Sequence, residues 1–264
     1  MEIQNRFERY ELKYLVTKKQ KTQIMEAMEQ NMCPDEFGRS TIRNIYYDTS
    51  DSLLIRRSLE KPVYKEKLRV RSYSRATADS TVFIELKKKY ESVVYKRRVS
   101  VTEAEAMNYL NRGETMEFHN QITEEIDYFR KMYPGLRPAV FLSYEREAFY
   151  GKEDRELRIT FDENILWRDN ECTLRADIYG TPVLEPGYSL MEIKVAQAMP
   201  MWLVRTLSQA RVYQTSISKY GEAYKQMVRK QQKEAVVTKR FALALQAKNR
   251  KNSEQRRKEV SYVG

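Results

Sequence analysis

VYKEKLRVRSY, from Val63 to Tyr73, decides how the rest of this chain is read. Alternation along a strand places Lys65, Lys67, Arg69 and Arg71 on one face and Leu68 and Val70 on the other. Four like charges in a row repel one another unless water, salt or a bound polyanion screens them. The row therefore marks a solvated sheet face or an anion-binding surface, and this stretch alone leaves both open.

Neighbouring stretches repeat the pattern. TVFIELKKKY puts Phe83, Glu85, Lys87 and Lys89 together, and SVVYKRRVSV sets Lys96 and Arg98 opposite Tyr95, Arg97 and Val99. Read as a meander, three successive strands each present a cationic face. Near the start, FERYELKYLV alternates with Phe7, Arg9, Glu11 and Lys13 on one side. Later, VFLSYEREAFY groups Val140, Leu142, Tyr144 and Arg146, while RELRITFDENI groups Arg158, Thr160 and Asp162. SLMEIKV sets Glu192 and Lys194 opposite Met191, Ile193 and Val195.

Helices are expected between these strands. Thr17 with Gln20 forms a capping-box signature ahead of Ile24, Met25, Met28 and Met32, in a helix that ends before Pro34. After STIRNIYYD, a turn and a short polar connection lead into Val63. Thr102 with Glu105 opens a second helix, which Gly113 closes. Ile122, Ile126, Phe129, Met132 and Tyr133 mark a third, stopped by Pro134-Gly135. Pro200 suits the first turn of a helix carrying Leu203, Leu207 and Ala210, and SISKYGEAYKQMV continues as helix with Ser218 and Lys219. The methionines read as core filler, and His119, the only histidine, as structural or merely exposed.

Composition bounds the rest. The 264 residues are 41% hydrophobic and 32% charged, with a formal net charge of +11. Residues 225–264 hold twelve Lys and Arg against three Glu, so they carry +9 and residues 1–224 only +2. Overall basicity therefore describes a tail and is no argument for nucleic acid. Two cysteines, Cys33 and Cys172, exclude a disulfide framework or a zinc cluster. With no leader-like or spanning apolar run, the chain is expected to be soluble and cytoplasmic.

Chemically, several strands each offer Lys or Arg on one face with a single carboxylate: Glu11, Glu85, Asp162 or Glu192. Were antiparallel strands to close into a barrel, these side chains would point inward together. A dry interior of that kind would be costly, so the lumen is expected to be wet and to bind a long polyanion. Each carboxylate is open to two readings, as a salt-bridge partner or as an oxygen ligand for Mg²⁺ or Mn²⁺ alongside substrate phosphates. No P-loop or G-x-G-x-x-G is present, so any phosphate would be gripped by side chains on strands.

The ordered motifs RYELKY, IYYDT, LRVRSY, FIELKKK, YKRRV, SYEREAF, LRITFDENI, MEIKV and SISKYG resemble the VTC domain. This is the polyphosphate polymerase branch of the CYTH-like triphosphate tunnel metalloenzymes, and the resemblance runs from Phe7 to about Tyr224. It implies an α+β fold, an antiparallel β-barrel tunnel with helices packed outside. It also implies Lys13, Arg69, Arg71, Lys87, Lys96, Arg146 and Arg158 as phosphate ligands, with Lys89 as a further basic one. Tyr144, Ser218 and Lys219 match positions that contact the phosphate chain, and Glu192 matches the metal-binding glutamate, with Lys194 beside it. Glu11, Glu85 and Asp162 remain further metal candidates, while Lys65, Lys67 and Arg98 rest on strand alternation. The E-x-E-x-K opening of the wider group reads Arg9, Glu11, Lys13 here, which favours the VTC branch and leaves the number of metal ions open.

The resemblance implies transfer of the terminal phosphoryl group of ATP to a growing polyphosphate chain, with Arg69, Arg71, Lys87, Arg146, Arg158 and Glu192 closest to the chemistry and Mn²⁺ or Mg²⁺ as cofactor. The alternatives are a triphosphatase of the same fold and a non-catalytic polyphosphate or nucleotide sensor. Residues 1–228 are expected to form the tunnel domain, and 229–264 a basic, partly helical or disordered tail. Expected partners are ATP, triphosphate and polyphosphate, together with a membrane-associated partner protein, but neither sequence-specific nucleic acid nor a membrane span.

Overall fold

A computed structural model describes residues 10–261 except 92, 117, 118 and 197, with side chains as far as residue 240. Phe7 and Arg9 lie outside the described residues. The strands are β1 (Tyr10–Thr17), β2 (Met32–Asp48), β3 (Tyr64–Ser72), β4 (Thr81–Tyr90), β5 (Val93–Thr102), β6 (Arg137–Gly151), β7 (Arg158–Arg168), β8 (Thr181–Pro182), β9 (Tyr188–Val195) and β10 (Gln214–Thr215). The helices are α1 (Lys18–Met28), α2 (Leu53–Leu59), α3 (Glu103–Met107), α4 (Gln121–Met132), α5 (Met201–Gln209) and α6 (Lys219–Ser261), with a π-helical turn over Asn108–Arg112 after α3.

All pairings are antiparallel, in the order β10-β1-β9-β7-β6-β2-β3-β4-β5, with β8 on β7. The antiparallel sheet with helices is the expected α+β fold, and among the described residues its hydrogen-bonded ladder does not close into a barrel. β10 pairs with the free side of β1 at Lys13 and Tyr14, the place a closing strand would need. The sheet nevertheless curls far enough for Lys87 Nζ on β4 to come within 3.5 Å of Glu11 Oε2 on β1.

Two apolar cores lie on the face away from the cations. Leu68, Val70, Ile84 and Leu86 pack with Tyr109, Ile126 and Phe129 from the α3–α4 region. Val16, Phe161, Met191 and Ile193 pack with Ile24 and Met28 of α1 and with Leu203 of α5. Strand alternation then turns the intervening residues to the opposite, inner face. The polar row of β3 faces inward because its apolar row is needed outside.

Both capping boxes form, with Gln20 N on Thr17 Oγ1 at 3.3 Å and Glu105 N on Thr102 Oγ1 at 3.2 Å. Three local readings differ from expectation. α1 stops at Met28, so Met32 is core but opens β2, and Pro34 sits in that strand beside a register shift. α2 stands where a polar connection was expected. Its Ser52 has left-handed φ 58 and makes no cap; Asp48 instead accepts from Leu54 N (2.9 Å) and Ile55 N (3.0 Å). Pro200 takes the N-cap of α5 and not its first turn. His119 is exposed.

The chain divides into two compact units at Ala223/Tyr224. α6 continues without a break through residues 229–261, and among the described residues no helix is long and apolar enough to cross a membrane.

Candidate functional site

Register brings the inner-face residues into rows. Tyr46 lies opposite Arg69, Arg69 opposite Glu85 and Glu85 opposite Arg98. Asn44 lies opposite Arg71, Lys67 opposite Lys87, Lys87 opposite Lys96 and Lys65 opposite Lys89. Across the sheet, Lys13 faces Glu192, Glu11 and Arg158 both face Lys194, and Arg146 faces Asp162.

Glu85, 1% exposed, anchors the first cluster. Arg69 donates to its Oε2 from Nε at 2.7 Å, and Lys96 Nζ and Arg98 Nε lie 2.7 and 2.8 Å from its Oε1. Burial alone would raise this carboxyl, but Arg69, Arg71 and Lys96 outweigh it and hold it well below the usual range. Two β2 side chains aim the arginine pair. Arg69 Nη1 donates to Tyr46 Oη at 3.0 Å, and Arg71 Nε donates to Asn44 Oδ1 at 2.9 Å. Arg71 also donates to Tyr144 Oη at 3.1 Å, and the Arg98 guanidinium lies 4.1 Å from the Phe83 ring centre. Both oxygens of Glu85 are held by cations, which favours its reading as an ion-pair anchor over that of a metal ligand.

The second cluster joins β1, β6, β7, β9 and the start of α6. Asp162 receives a two-pronged bond from Arg146 (2.6 and 2.7 Å) and also pairs with Lys219 at 2.5 Å. Lys219 reaches Glu192 Oε1 at 2.9 Å, Lys13 reaches the same oxygen at 3.4 Å, and Arg146 reaches Glu192 Oε2 at 3.4 Å. Burial pushes Glu192 up, but Lys219, Lys13 and Arg146 reverse this and keep it ionised far below the usual range. Lys13 also lies 3.3 Å from Glu11, bridging the two glutamates. Glu11 is pushed up by burial yet brought down to about 2, chiefly by Lys87 and Lys13.

A third group has no carboxylate within ion-pairing distance among the described residues. Lys67 donates to Ser218 Oγ at 3.1 Å and Lys65 to Ser58 O at 3.4 Å, with Lys89 across from Lys65. Burial, then Lys13, Lys87, Lys65 and Arg69, bring Lys67 down to about 7. Lys194, lowered by burial against the pull of Glu11 and Glu192, completes this group. Arg158 stands apart, 45% exposed and 3.6 Å from Asp35. Asn44 and Tyr46 were missed from sequence; the alternation of NIYYD would have placed both on the inner face had the strand been phased from Arg69 and Arg71.

Among the described residues no group of three or more His, Cys, Asp or Glu converges on one point. Asp162 is fully buried and committed to Arg146 and Lys219, whereas Glu192 and Glu11 are ionised, adjacent and held at longer distances. This donor set fits a hard divalent ion that takes one or two protein carboxylates and completes its shell from phosphate and water.

The VTC domain family model matches residues 8–228. No curated protein sequence matches the chain. Similar solved structures include a candidate adenylate cyclase of Bacillus halodurans, at 17% identity and TM-score 0.49, covering 79% of this chain and 92% of that one. Another, from Vibrio parahaemolyticus, has 13% identity and TM-score 0.42, covering 82% and 97%. With the family model spanning every strand that carries the cationic face, the chain belongs to the VTC domain family, and so to proteins that handle polyphosphate or nucleotide phosphates.

Proposed function

We propose that this protein is a polyphosphate polymerase, which transfers the terminal phosphoryl group of ATP to an inorganic polyphosphate chain. The observation that carries the reading is the inner face itself. Among the described residues, cations from β1, β3, β4, β5, β6, β7, β9 and α6 outnumber Glu11, Glu85, Asp162 and Glu192, while the opposite face is apolar core. Such a face is stable only with an anionic occupant or water, and an extended phosphate chain supplies one charge after another along its length.

In this reading Arg69, Arg71 and Arg146 present planar forks to phosphate oxygens, and Lys13, Lys87, Lys96, Lys219 and Tyr144 fix the chain beside them. Lys65, Lys67, Lys89, Arg98, Lys194 and Ser218 extend that grip, and Arg158 acts from the rim. Glu192, with Glu11, would hold Mg²⁺ or Mn²⁺, which when bound offsets charge on the phosphate oxygens. Glu85 and Asp162 keep the arginines oriented. The acceptor phosphate is already ionised, so no strong general base is needed. Aligned cations lower the barrier because they are in place before charge moves. With water in the acceptor's position the same groups would hydrolyse triphosphate.

The test is a gel. Purified protein with ATP and Mn²⁺ or Mg²⁺ should release ADP and build long chains. Phosphate release alone would make it a triphosphatase. Tight ATP binding without turnover, unchanged by Glu192→Gln, would make it a sensor. The proposed setting is cytoplasmic.

A further inference from the structure

Tyr46 faces Arg69 across β2 and β3 and is 8% exposed. A phenol hydroxyl can accept and can also donate one hydrogen bond. The accepting side of Tyr46 is taken by Arg69 Nη1 at 3.0 Å, and among the described residues its own proton has no protein acceptor. Three buried phenols of this chain differ, Tyr47 donating to Asn111 Oδ1 at 2.9 Å, Tyr109 to Asp127 Oδ1 at 2.6 Å and Tyr220 to Asp48 Oδ2 at 2.9 Å, whereas Tyr144 shares the arrangement of Tyr46.

The ring of Tyr46 is also fixed. It stacks on Tyr220 with centroids 4.7 Å apart and planes 23° apart, and Tyr220 is tied to Asp48, which caps α2. A buried donor left without an acceptor costs about 1–3 kcal/mol, so a position that keeps one usually has an occupant to satisfy it. The surrounding charge defines the occupant. Burial would raise the Tyr46 phenol, but Arg69, Arg71 and Lys219 outweigh it and bring it below its ordinary value, which makes its O–H a stronger donor to an anion.

We propose that Tyr46 is a phosphate ligand: its hydroxyl accepts from Arg69 and gives its own hydrogen bond to a phosphate oxygen of the bound chain. This rests on the reading of the inner face as a polyphosphate or triphosphate site. It adds a neutral donor beside Arg69, on a ring held by its stack on Tyr220. Tyr144 makes the matching contact with Arg71, so each arginine of the pair is backed by one phenol.

The experiment is tripolyphosphate binding by calorimetry, without divalent metal so that nothing turns over. Tyr46→Phe keeps the ring and its stack and removes only the hydroxyl. It should bind tripolyphosphate about tenfold more weakly or worse, the size of a hydrogen bond to a charged acceptor. A purely structural role, acting through Arg69, would vanish once Arg69 is gone. Tyr46→Phe is therefore repeated in an Arg69→Met background, or in Arg69→Lys if circular dichroism shows the first to be unfolded. A further loss of several-fold there supports direct contact. No further loss would overturn it, as would equal affinity of Tyr46→Phe and wild type. If wild type binds no tripolyphosphate, the reading of the whole face fails, and this inference with it.

Discussion

Glu85 and Glu192 occupy the same face of the same sheet, each is nearly buried, and each sits among cations, yet their surroundings differ in kind. Glu85 is the one carboxylate within reach of Arg69, Arg71, Lys96 and Arg98 among the described residues. Glu192 shares its cations: Arg146 and Lys219 also hold Asp162, and Lys13 also holds Glu11. The shortest contacts differ less, 2.6 Å for Arg69 on Glu85 against 2.9 Å for Lys219 on Glu192, whose other partners Lys13 and Arg146 lie at 3.4 Å. A carboxylate that alone balances several buried charges is a structural anchor. One whose partners are already balanced can turn to a metal ion without leaving a bare charge behind.

The sharpest way to break this comparison is to neutralise each acid. Glu192→Gln should lower metal-dependent turnover by more than about a hundredfold. Its cations keep Asp162 and Glu11, so the unfolding free energy from urea titration should fall by no more than about 1 kcal/mol. Chelation by EDTA should stop wild-type turnover and leave the Glu192→Gln residue of activity unchanged. Glu85→Gln should do the reverse in origin: activity falls because the protein loses about 3 kcal/mol of stability, the cost of stranding Arg71 and Arg69, which are 8% and 21% exposed. Urea unfolding of the two variants side by side decides it, and a stable Glu85→Gln with a collapsed Glu192→Gln would invert the assignment.

Glu11 should behave as a milder Glu192. Its partners Lys13 and Lys87 are 24% and 41% exposed, so Glu11→Gln should cost about 1 kcal/mol of stability or less. As the second carboxylate of the proposed metal pair, it should raise the Mn²⁺ concentration needed for half-maximal turnover about tenfold. An unchanged metal requirement would leave Glu192 as the sole protein ligand.

How much of this was legible beforehand follows from what each feature depends on. Period-two alternation shows Arg69 and Arg71 against Leu68 and Val70 directly, and the capping boxes at Thr17 and Thr102 are local in sequence. α2 was hidden because its cap, Asp48, stands outside the adjacent N-cap position, where Ser52 makes no cap bond. The contrast between Glu85 and Glu192 was hidden for a different reason. In sequence each is one acid on a cationic strand face; its partners come from other strands, so they depend on register and on the curl that brings β4 to β1. The pairing of β10 was hidden on the same ground, since nothing in QT at Gln214–Thr215 signals a strand that occupies the edge of β1.

The same comparison carries over to two lysines, with the smallest expected effect. Lys219, between Asp162 and Glu192, is raised above its ordinary value even though burial works against it. Lys67, among Lys13, Lys65, Lys87 and Arg69, is brought from 10.5 to about 7, first by burial and then by those cations. Below pH 7 both folded and unfolded chains hold the Lys67 proton, and its repulsion is fully present. From pH 7 to 10.5 the unfolded chain binds it more, so this residue's contribution to stability rises with pH. Anion binding runs the other way, because a neutral Lys67 no longer attracts phosphate. Wild type should therefore lose affinity for tripolyphosphate, relative to Lys67→Arg, by about two- to tenfold between pH 6 and 8.5, the worth of one partly screened charge. Taking the ratio of the two proteins removes the ligand's own ionisation, which is common to both. Parallel curves would mean that Lys67 keeps its proton or lies away from the anion, and its place in the phosphate track would be lost.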